Sequence, residues 1–246
     1  MILDNEINIA IKAARNSGKL LSQDKARLNH KTSSTSKDLK LKADVKSENL
    51  IKEIITSSSD FPILAEESGK SDENLGETFW VVDPLDGTAN YNRGIPVCCV
   101  SIGLVSNMKP VAGIIYDFNN DDLYVGNDIN KIATLNDKKI SASVIDQKKD
   151  GILITGLPHA TDYSDKALSK MLYDMQSWKK VRMIGSAAMA SCYVASGKGD
   201  LYKENGIFFW DVVAGAAIVN AAGGLAEISN MQENFQVDVV FSNSKI

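Results

Sequence analysis

The stretch WVVDPLDGTAN, Trp80 to Asn90, joins an apolar run to two aspartates, a proline and a glycine. The run FWVVD is typical of a short buried strand that ends in an acid. Pro84 fixes φ and has no N–H, so we expect the chain to leave the strand and turn here. Gly87 permits a close backbone approach, and the residues after it predict a helical turn whose free N–H groups suit a phosphate.

Asp83 and Asp86 lie three residues apart in this stretch, beside the predicted phosphate site. Two carboxylates next to a phosphate repel it and each other, so the arrangement makes chemical sense if hard cations lie between them. Magnesium is the natural candidate because it takes oxygen ligands and is shared between carboxylates and phosphates. For this motif alone, the alternative is a capped turn in which both aspartates accept backbone N–H bonds.

Further acids accompany the motif. Glu66 and Glu67 end the preceding predicted strand in AEES, Asp211 begins a predicted helix in WDVVAG, and Asp44 lies in KAD. Singly, Asp211 is typical of a helix N-terminus, and the two glutamates are typical of a solvated turn. Together they supply more acid than capping requires, which favours a metal site.

Length and composition bound the class of protein. The 246 residues are 44% hydrophobic and 24% charged, and they contain no apolar run that could span a bilayer, so we expect a globular protein of one large or two small domains. The first residues are acidic and polar where a signal peptide would be basic, which predicts a cytoplasmic location. Cys98, Cys99 and Cys192 lack metal-ligand spacing and lie in apolar segments, so we expect buried free thiols.

The net charge of −4 argues against a surface made for nucleic acid. The segment Lys31 to Lys46 is nevertheless basic. The sequence leaves two interpretations of it, a solvated lysine-rich loop and a functional loop.

Hydrophobic spacing predicts the elements of the first half. We expect a helix from Asn5 to Ser22, a loop from Asn29 to Lys37, a helix from Ser47 to Ile55 and an antiparallel meander from Val97 to Val125. The second half alternates strands with predicted helices over Ser164–Trp178, Ser186–Ser196 and Trp210–Ala222. A composition shift near Gly151 predicts two parts, residues 1–150 with most of the candidate metal ligands and residues 151–246 with Asp211 and the substrate contacts.

The segments AEES, WVVDPLDGTANY and WDVVAGAAIVNAAGG, in this order and at this separation, resemble the inositol monophosphatase family of magnesium-dependent, lithium-sensitive phosphatases. The resemblance runs from the first helix to about Ile228. It implies an α+β fold of the sugar-phosphatase type, a layered α-β-α-β-α sandwich with antiparallel and mixed sheets and paired helices. It also implies two or three Mg²⁺ ions, a small phosphorylated substrate and a homodimer; we expect no membrane or nucleic-acid partner.

Carried over by position, the resemblance implies a role for each candidate site residue. Glu66, Asp83 and the carbonyl of Leu85 would hold one magnesium, and Asp83, Asp86 and Asp211 another. Thr88 with Asp44 and Glu66 would orient and deprotonate the attacking water. Asp86, Gly87 and Thr88 would contact the phosphate side of the substrate, and Gly185, Ser186, Ala187 and Glu204 its remaining part. The short predicted strand DLYK and the helix from Trp210 place Glu204 on the loop between them.

The sequence departs from the family pattern at two places. Leu41 stands where the family has a threonine before Asp44, and the basic loop around Lys31 is longer. Pro158 and His159 stand where a serine commonly approaches the cyclitol. The sequence leaves two interpretations of His159, a surface loop residue and a substrate contact.

The function expected from these residues is hydrolysis of an inositol or sugar monophosphate by in-line attack of an activated water. No residue set suggests a covalent nucleophile. Alternatives within the enzyme class are 3′(2′),5′-bisphosphate nucleotidase and fructose-bisphosphatase; Asn90 favours the inositol branch, because nucleotide-specific members usually carry an acid there. Other classes are a non-catalytic regulator that binds RNA or a polymerase, and a sugar-phosphate binding protein without turnover.

Overall fold

Two large β-sheets alternate with layers of helices in the computed structural model, which describes residues 3–34, 39–157 and 162–246 and also contains a separate two-stranded sheet. The layers alternate as the fold class predicted from the resemblance requires, and that prediction is confirmed. The helices are α1 (Asp4–Gln23), α2 (Lys25–Leu28), α3 (Lys42–Thr56), α4 (Thr88–Arg93), α5 (Asp165–Met175), α6 (Ala187–Ala195) and α7 (Phe209–Ala221).

The larger sheet has eight strands in the order β10-β9-β8-β7-β6-β5-β3-β4. They are β3 (Ile63–Ala65), β4 (Gly69–Lys70), β5 (Thr78–Asp86), β6 (Cys99–Ser106), β7 (Lys109–Asp117), β8 (Asp122–Asn127), β9 (Ile132–Leu135) and β10 (Lys138–Lys139). From β5 to β10 each strand pairs antiparallel with the next, so the predicted meander is present and extends further than the sequence indicated. Only β3 runs parallel to its neighbour β5 within this described sheet.

The smaller sheet has five strands in the order β12-β11-β13-β15-β14. They are β11 (Ile152–Thr155), β12 (Lys180–Met183), β13 (Leu201–Phe208), β14 (Leu225–Ser229) and β15 (Gln236–Ser242). β11 runs parallel to β12 and β13, and β15 pairs antiparallel with β13 and β14, so this sheet is mixed.

Small residues let α6 and α7 pack closely between the two sheets. A Cβ on Gly103 would lie 2.5 Å from a methyl of Val213, and one on Gly113 would overlap the backbone of Ala214. The outer face of the larger sheet is covered by α1 and α3, which share a core with Trp80 and Tyr91. The division into residues 1–150 and 151–246 stays a prediction; α7 of the second part packs on β5 to β9 of the first.

The predicted turn at Pro84 is the first correction. β5 continues through Pro84 to Asp86, with a register shift between Asp83 and Asp86, and the chain turns at Gly87. The shift leaves Pro84 outside the regular ladder, so its missing N–H costs no strand bond. The N–H of Leu85 donates instead to Oδ1 of Asp83 at 2.9 Å.

Element boundaries in the basic segment were also wrong. Part of the predicted loop from Asn29 to Lys37 forms β1 (Lys31–Ser34), which pairs with β2 (Leu39–Leu41). The helix expected from Ser47 begins at Lys42, because Asp44 accepts the N–H of Leu41 at 2.6 Å and thereby caps an earlier start.

Two predictions from composition agree with the structure. Cys98, Cys99 and Cys192 are buried and free. Within the described residues, every helix is too short or too polar to cross a membrane.

Candidate active site

The end of β5 places two aspartates where the chain turns into α4. Asp83 is 1% exposed and Asp86 is 8% exposed. Gly87 caps α4 with φ +86°, and a Cβ there would lie 2.8 Å from the carbonyl oxygen of Val97. Positive φ and this close approach together require glycine, so the turn that presents the aspartates depends on Gly87.

Asp86 is held by the N-terminus of α6. Ser186 Oγ lies 2.5 Å from Asp86 Oδ2, the N–H of Ala188 donates to Oδ2 at 2.8 Å, and the N–H of Ala187 donates to Oδ1 at 3.3 Å. Ser186 also caps α6, since its Oγ accepts the N–H of Met189 at 3.2 Å. Ser186 and Ala187, predicted as substrate contacts, therefore orient the carboxylate of Asp86, which the sequence did not indicate.

Glu66 and Asp211 reach the same place from other elements. Glu66 follows β3, and its N–H donates to the carbonyl of Val82 on β5 at 3.1 Å. Asp211 lies in the first turn of α7 and accepts the N–H of Phe208 at 3.2 Å. The carboxyl group of Asp83 lies close enough to those of Glu66 and Asp211 for their charges to act on one another. The structure thus brings together acids that are 145 residues apart in sequence, from Glu66 to Asp211.

Burial raises the pKa of Glu66, Asp83, Asp86 and Asp211 above the ordinary values of carboxyl groups. Repulsion raises three of them further: Asp83 acts on Glu66, Asp86 acts on Asp83, and Glu66 acts on Asp211. For Asp86, the bonds from α6 oppose the effect of burial. In the described parts of the chain, none of the ion pairs between basic and acidic side chains involves these four carboxylates.

As the side chains stand, no group of three or more Asp, Glu, His or Cys residues in the described chain is arranged to hold a metal ion. Asp83 instead interacts separately with Glu66 and with Asp211. The chemistry of the set nevertheless fits a hard cation, because all the side-chain donors are oxygens, Asp83 and Asp86 are buried while Glu66 and Asp211 are half-buried, and no basic side chain pairs with them in the described residues. Side-chain rotation is what would turn them towards a common ion.

Asp44 and Thr88 form a second, adjacent pair. Thr88 Oγ1 lies 3.0 Å from Asp44 Oδ1 and 3.0 Å from the carbonyl oxygen of Leu85. Burial raises the pKa of Asp44 to about 6, against the lowering effect of hydrogen bonds from the Leu41 N–H and the Thr88 hydroxyl. Leu41, where the family has threonine, caps α3 without a side-chain hydrogen bond, and Asp44 still supplies the reciprocal bond.

Two links hold α3 and the basic hairpin beside this pair. Ser47 Oγ donates to the carbonyl oxygen of Pro84 at 2.7 Å, which ties α3 to the site turn. Lys40 of β2 forms an ion pair with Glu67 at 3.0 Å, and Glu48 accepts the N–H of Glu67. The β2 end of the basic segment therefore lies next to AEES. Pro158 and His159 lie outside the described residues.

Glu204 lies inside β13, whereas the sequence placed it on a strand-to-helix loop. The strand is longer than expected because its pairing with β15 resumes after a bulge at Gly206. Glu204 is half-buried, and burial, with repulsion from Asp86, raises its pKa to about 8. It lines a cavity of about 960 Å³ together with Thr155, Gly156 and Lys203.

Gly185 is exposed, has φ +71° and lies against Asn90. The side-chain amide of Asn90 donates to the carbonyl oxygens of Val97 and Ile184, each at 2.8 Å. Asn90 therefore fastens the segment before α6 to the site turn. This is a second contact that the sequence did not indicate.

The model of the inositol monophosphatase family matches residues 2–243. The protein named Nus factor SuhB from Xylella fastidiosa is 36% identical over 222 residues, covering 89% of this chain and 80% of the relative. The protein named inositol-1-monophosphatase from Mesorhizobium japonicum is 32% identical over 222 residues, with coverages of 89% and 83%. The solved inositol monophosphatase from Anabaena superposes with a TM-score of 0.83 at 31% identity, covering 100% of this chain and 93% of the other. The chain belongs to the inositol monophosphatase family, a family of phosphoric monoester hydrolases, as its motifs indicated.

Proposed function

We propose that this protein hydrolyses a small phosphomonoester, an inositol or sugar monophosphate, in a magnesium-dependent reaction. The observation that carries the proposal is the meeting of Glu66, Asp83, Asp86 and Asp211 beside the Asp44–Thr88 pair. Carboxylates this close, buried or half-buried and without basic partners in the described chain, are costly to the fold unless a cation compensates their charge. Family membership supports the same activity.

The residues that would hold magnesium are those of the two predicted ligand sets. Glu66, Asp83 and the Leu85 carbonyl would bind one ion, and Asp83, Asp86 and Asp211 a second. The number of magnesium ions proposed is two or three. Bound there, magnesium would neutralise charge on the phosphoryl oxygens and make a nearby water more acidic.

The chain's own groups then do three things. Asp44 and Glu66 orient the attacking water together with the Thr88 hydroxyl, and Asp44 in its carboxylate form accepts the water's proton. The backbone N–H groups of Gly87 and Thr88 hold the phosphate. The bonds from α6 keep Asp86 in place, so that this carboxylate is already oriented when the substrate arrives.

In this proposal the leaving group of the substrate, the alcohol, lies next to Glu204. Glu204 and Gly185 would contact hydroxyls of the departing alcohol. Relatives named inositol-1-monophosphatase favour an inositol phosphate. Bisphosphorylated nucleotides and fructose bisphosphate are the rival substrates.

The test is phosphate release from a panel of inositol, sugar and nucleotide monophosphates, with magnesium present and with it chelated. Release from a polyol phosphate that requires magnesium is expected. Ligand binding without any release would instead indicate a sugar-phosphate binding protein.

A second candidate function is a regulator that binds RNA or a polymerase, because a relative at 36% identity is named a Nus factor. Binding through the basic segment should fall steeply with salt and persist in Asp83→Asn. The retained carboxylates favour the hydrolase.

The homodimer is proposed on the family resemblance, and light scattering of the purified protein measures the oligomeric state. The cytoplasmic location stays a prediction from the sequence.

A further inference from the structure

Strand β6 is the neighbour of β5 in the larger sheet, and it runs alongside the two aspartates of the site turn. In the antiparallel β5–β6 pair, Ser101 is opposite Asp83 and Cys99 is opposite Asp86. Directly opposed residues of an antiparallel pair point to the same face of the sheet with their Cβ atoms about 4.5–5.5 Å apart. Cys99 Sγ does point at the carboxylate opposite it, 3.8 Å from Asp86 Oδ2. The same register directs Ser101 towards the side of Asp83.

The hydroxyl of Ser101 is buried and unsatisfied. Ser101 is 0% exposed, and its Oγ has no hydrogen-bond partner within the described residues. Its neighbour on the other side, Ile115 of β7, has an apolar side chain. A buried hydroxyl without a partner costs free energy that an alanine would not, so its presence needs a reason.

The acceptor that the register places opposite Ser101 is the carboxyl group of Asp83. Oδ1 of Asp83 accepts the N–H of Leu85, and the carboxyl group also contacts Glu66 and Asp211. Once these carboxylates turn towards cations, they no longer face one another. A neutral donor opposite Asp83 is what the carboxylate then needs for orientation.

We propose that Ser101 is a positioning residue for Asp83, and that its hydroxyl donates to the Asp83 carboxylate when the site binds magnesium. This rests on the proposed function, since Asp83 is there the ligand shared by both ions. Ser101 touches neither the substrate nor the ion. Ser101 fixes the orientation of Asp83, which is the residue that binds the ions.

The test compares Ser101→Ala with Ser191→Ala. Ser191 is an equally buried serine on α6 whose hydroxyl donates to the Ala187 carbonyl of its own helix at 2.9 Å. Each protein is stripped of metal, titrated with Mg²⁺ in a calorimeter without substrate, and separately unfolded with urea in a chelator. Removing a hydrogen-bonding partner of a metal ligand typically lowers metal affinity about 10–100-fold.

Ser101→Ala is expected to bind magnesium 10–100-fold more weakly than the wild type while its stability in chelator is unchanged or higher, because an unsatisfied hydroxyl is gone. Ser191→Ala is expected to lose stability and keep the wild-type magnesium affinity. Wild-type affinity in Ser101→Ala overturns the inference and leaves the proposed function standing. Equal losses of affinity in both variants also overturn it, since they indicate a general packing effect. A wild type that binds no magnesium refutes the proposed function itself, and the inference with it.

Discussion

Ser186 has two structural roles that one substitution removes together. Its hydroxyl caps α6 by accepting the Met189 N–H, and it donates to the carboxylate of Asp86. Loss of an N-cap costs about 1 kcal/mol, and loss of a hydrogen bond to a charged group costs about 1.5–3 kcal/mol. Ser186→Ala should therefore lower the free energy of unfolding by about 2.5–4 kcal/mol when Asp86 is ionised.

The matched control is Ser164→Ala. Ser164 caps α5 by accepting the Ala167 N–H at 3.3 Å, and its hydroxyl donates to the carboxylate of Asp162 at 3.1 Å; both residues are exposed, so water replaces that second bond at little cost. Its loss should cost no more than about 1 kcal/mol. Urea unfolding in chelator measures both variants, and the midpoint should shift without a change in slope.

The deficit of Ser186→Ala should also depend on pH. The hydroxyl lowers the pKa of Asp86 against the raising effect of burial, so the variant's folded state holds the Asp86 proton to a higher pH. The stability of the variant relative to the wild type therefore falls further as the pH rises through the pKa of Asp86, because the carboxylate form of Asp86 is the one that loses its donor. Equal losses in Ser186→Ala and Ser164→Ala, or a deficit that shrinks with rising pH, would refute the reasoning.

Three further substitutions test the remaining roles. Asp83→Asn should nearly abolish phosphate release, because an amide cannot supply the charge shared between two cations; activity is measured across a magnesium titration, and wild-type activity there contradicts the role. Thr88→Ala should lower kcat about 10²–10⁴-fold with little change in KM, because the hydroxyl orients the water mainly in the transition state; a change in KM alone would make Thr88 a binding residue. Burial raises the pKa of Glu204 from 4.5 to about 8, so the folded state keeps a proton that the unfolded chain releases, and stability should fall as pH rises from 4.5 to 8. Glu204→Gln should remove that slope in urea unfolding and, above pH 8 where the Glu204 carboxyl is ionised, lower kcat/KM about 10–100-fold for polyol phosphates while sparing an aryl phosphate; equal losses on both substrates would assign Glu204 to the fold.

Motifs with a strong local cause were predictable from the sequence. The run before Asp83 is β-branched and apolar, and it is a buried strand; Gly87 is where positive φ is needed. The small-residue helix α7 packs against glycines of the larger sheet, at Gly103, Gly113 and Gly126. Proximity of the acids followed from their placement at strand ends and a helix start.

Contacts that depend on register and on long-range pairing were not predictable. Whether Pro84 ends a strand or sits in a bulge is decided by the pairing of β5 with β6. The bond between Ser186 and Asp86 joins residues 100 positions apart, and GSAA by itself suggested only a substrate contact. Glu204 was placed on a loop because the bulge at Gly206, which allows β13 to continue, leaves no local signal beyond a single glycine.

The account's central claim is that the acids around Asp83 form a magnesium site for phosphate-ester hydrolysis. The most direct measurement is phosphate release from inositol monophosphate by the purified protein, before and after exhaustive chelation and then with magnesium restored. The account predicts turnover that disappears with the chelator, returns with magnesium and is absent from Asp83→Asn. Undiminished release in chelator, or full activity in Asp83→Asn, would contradict it.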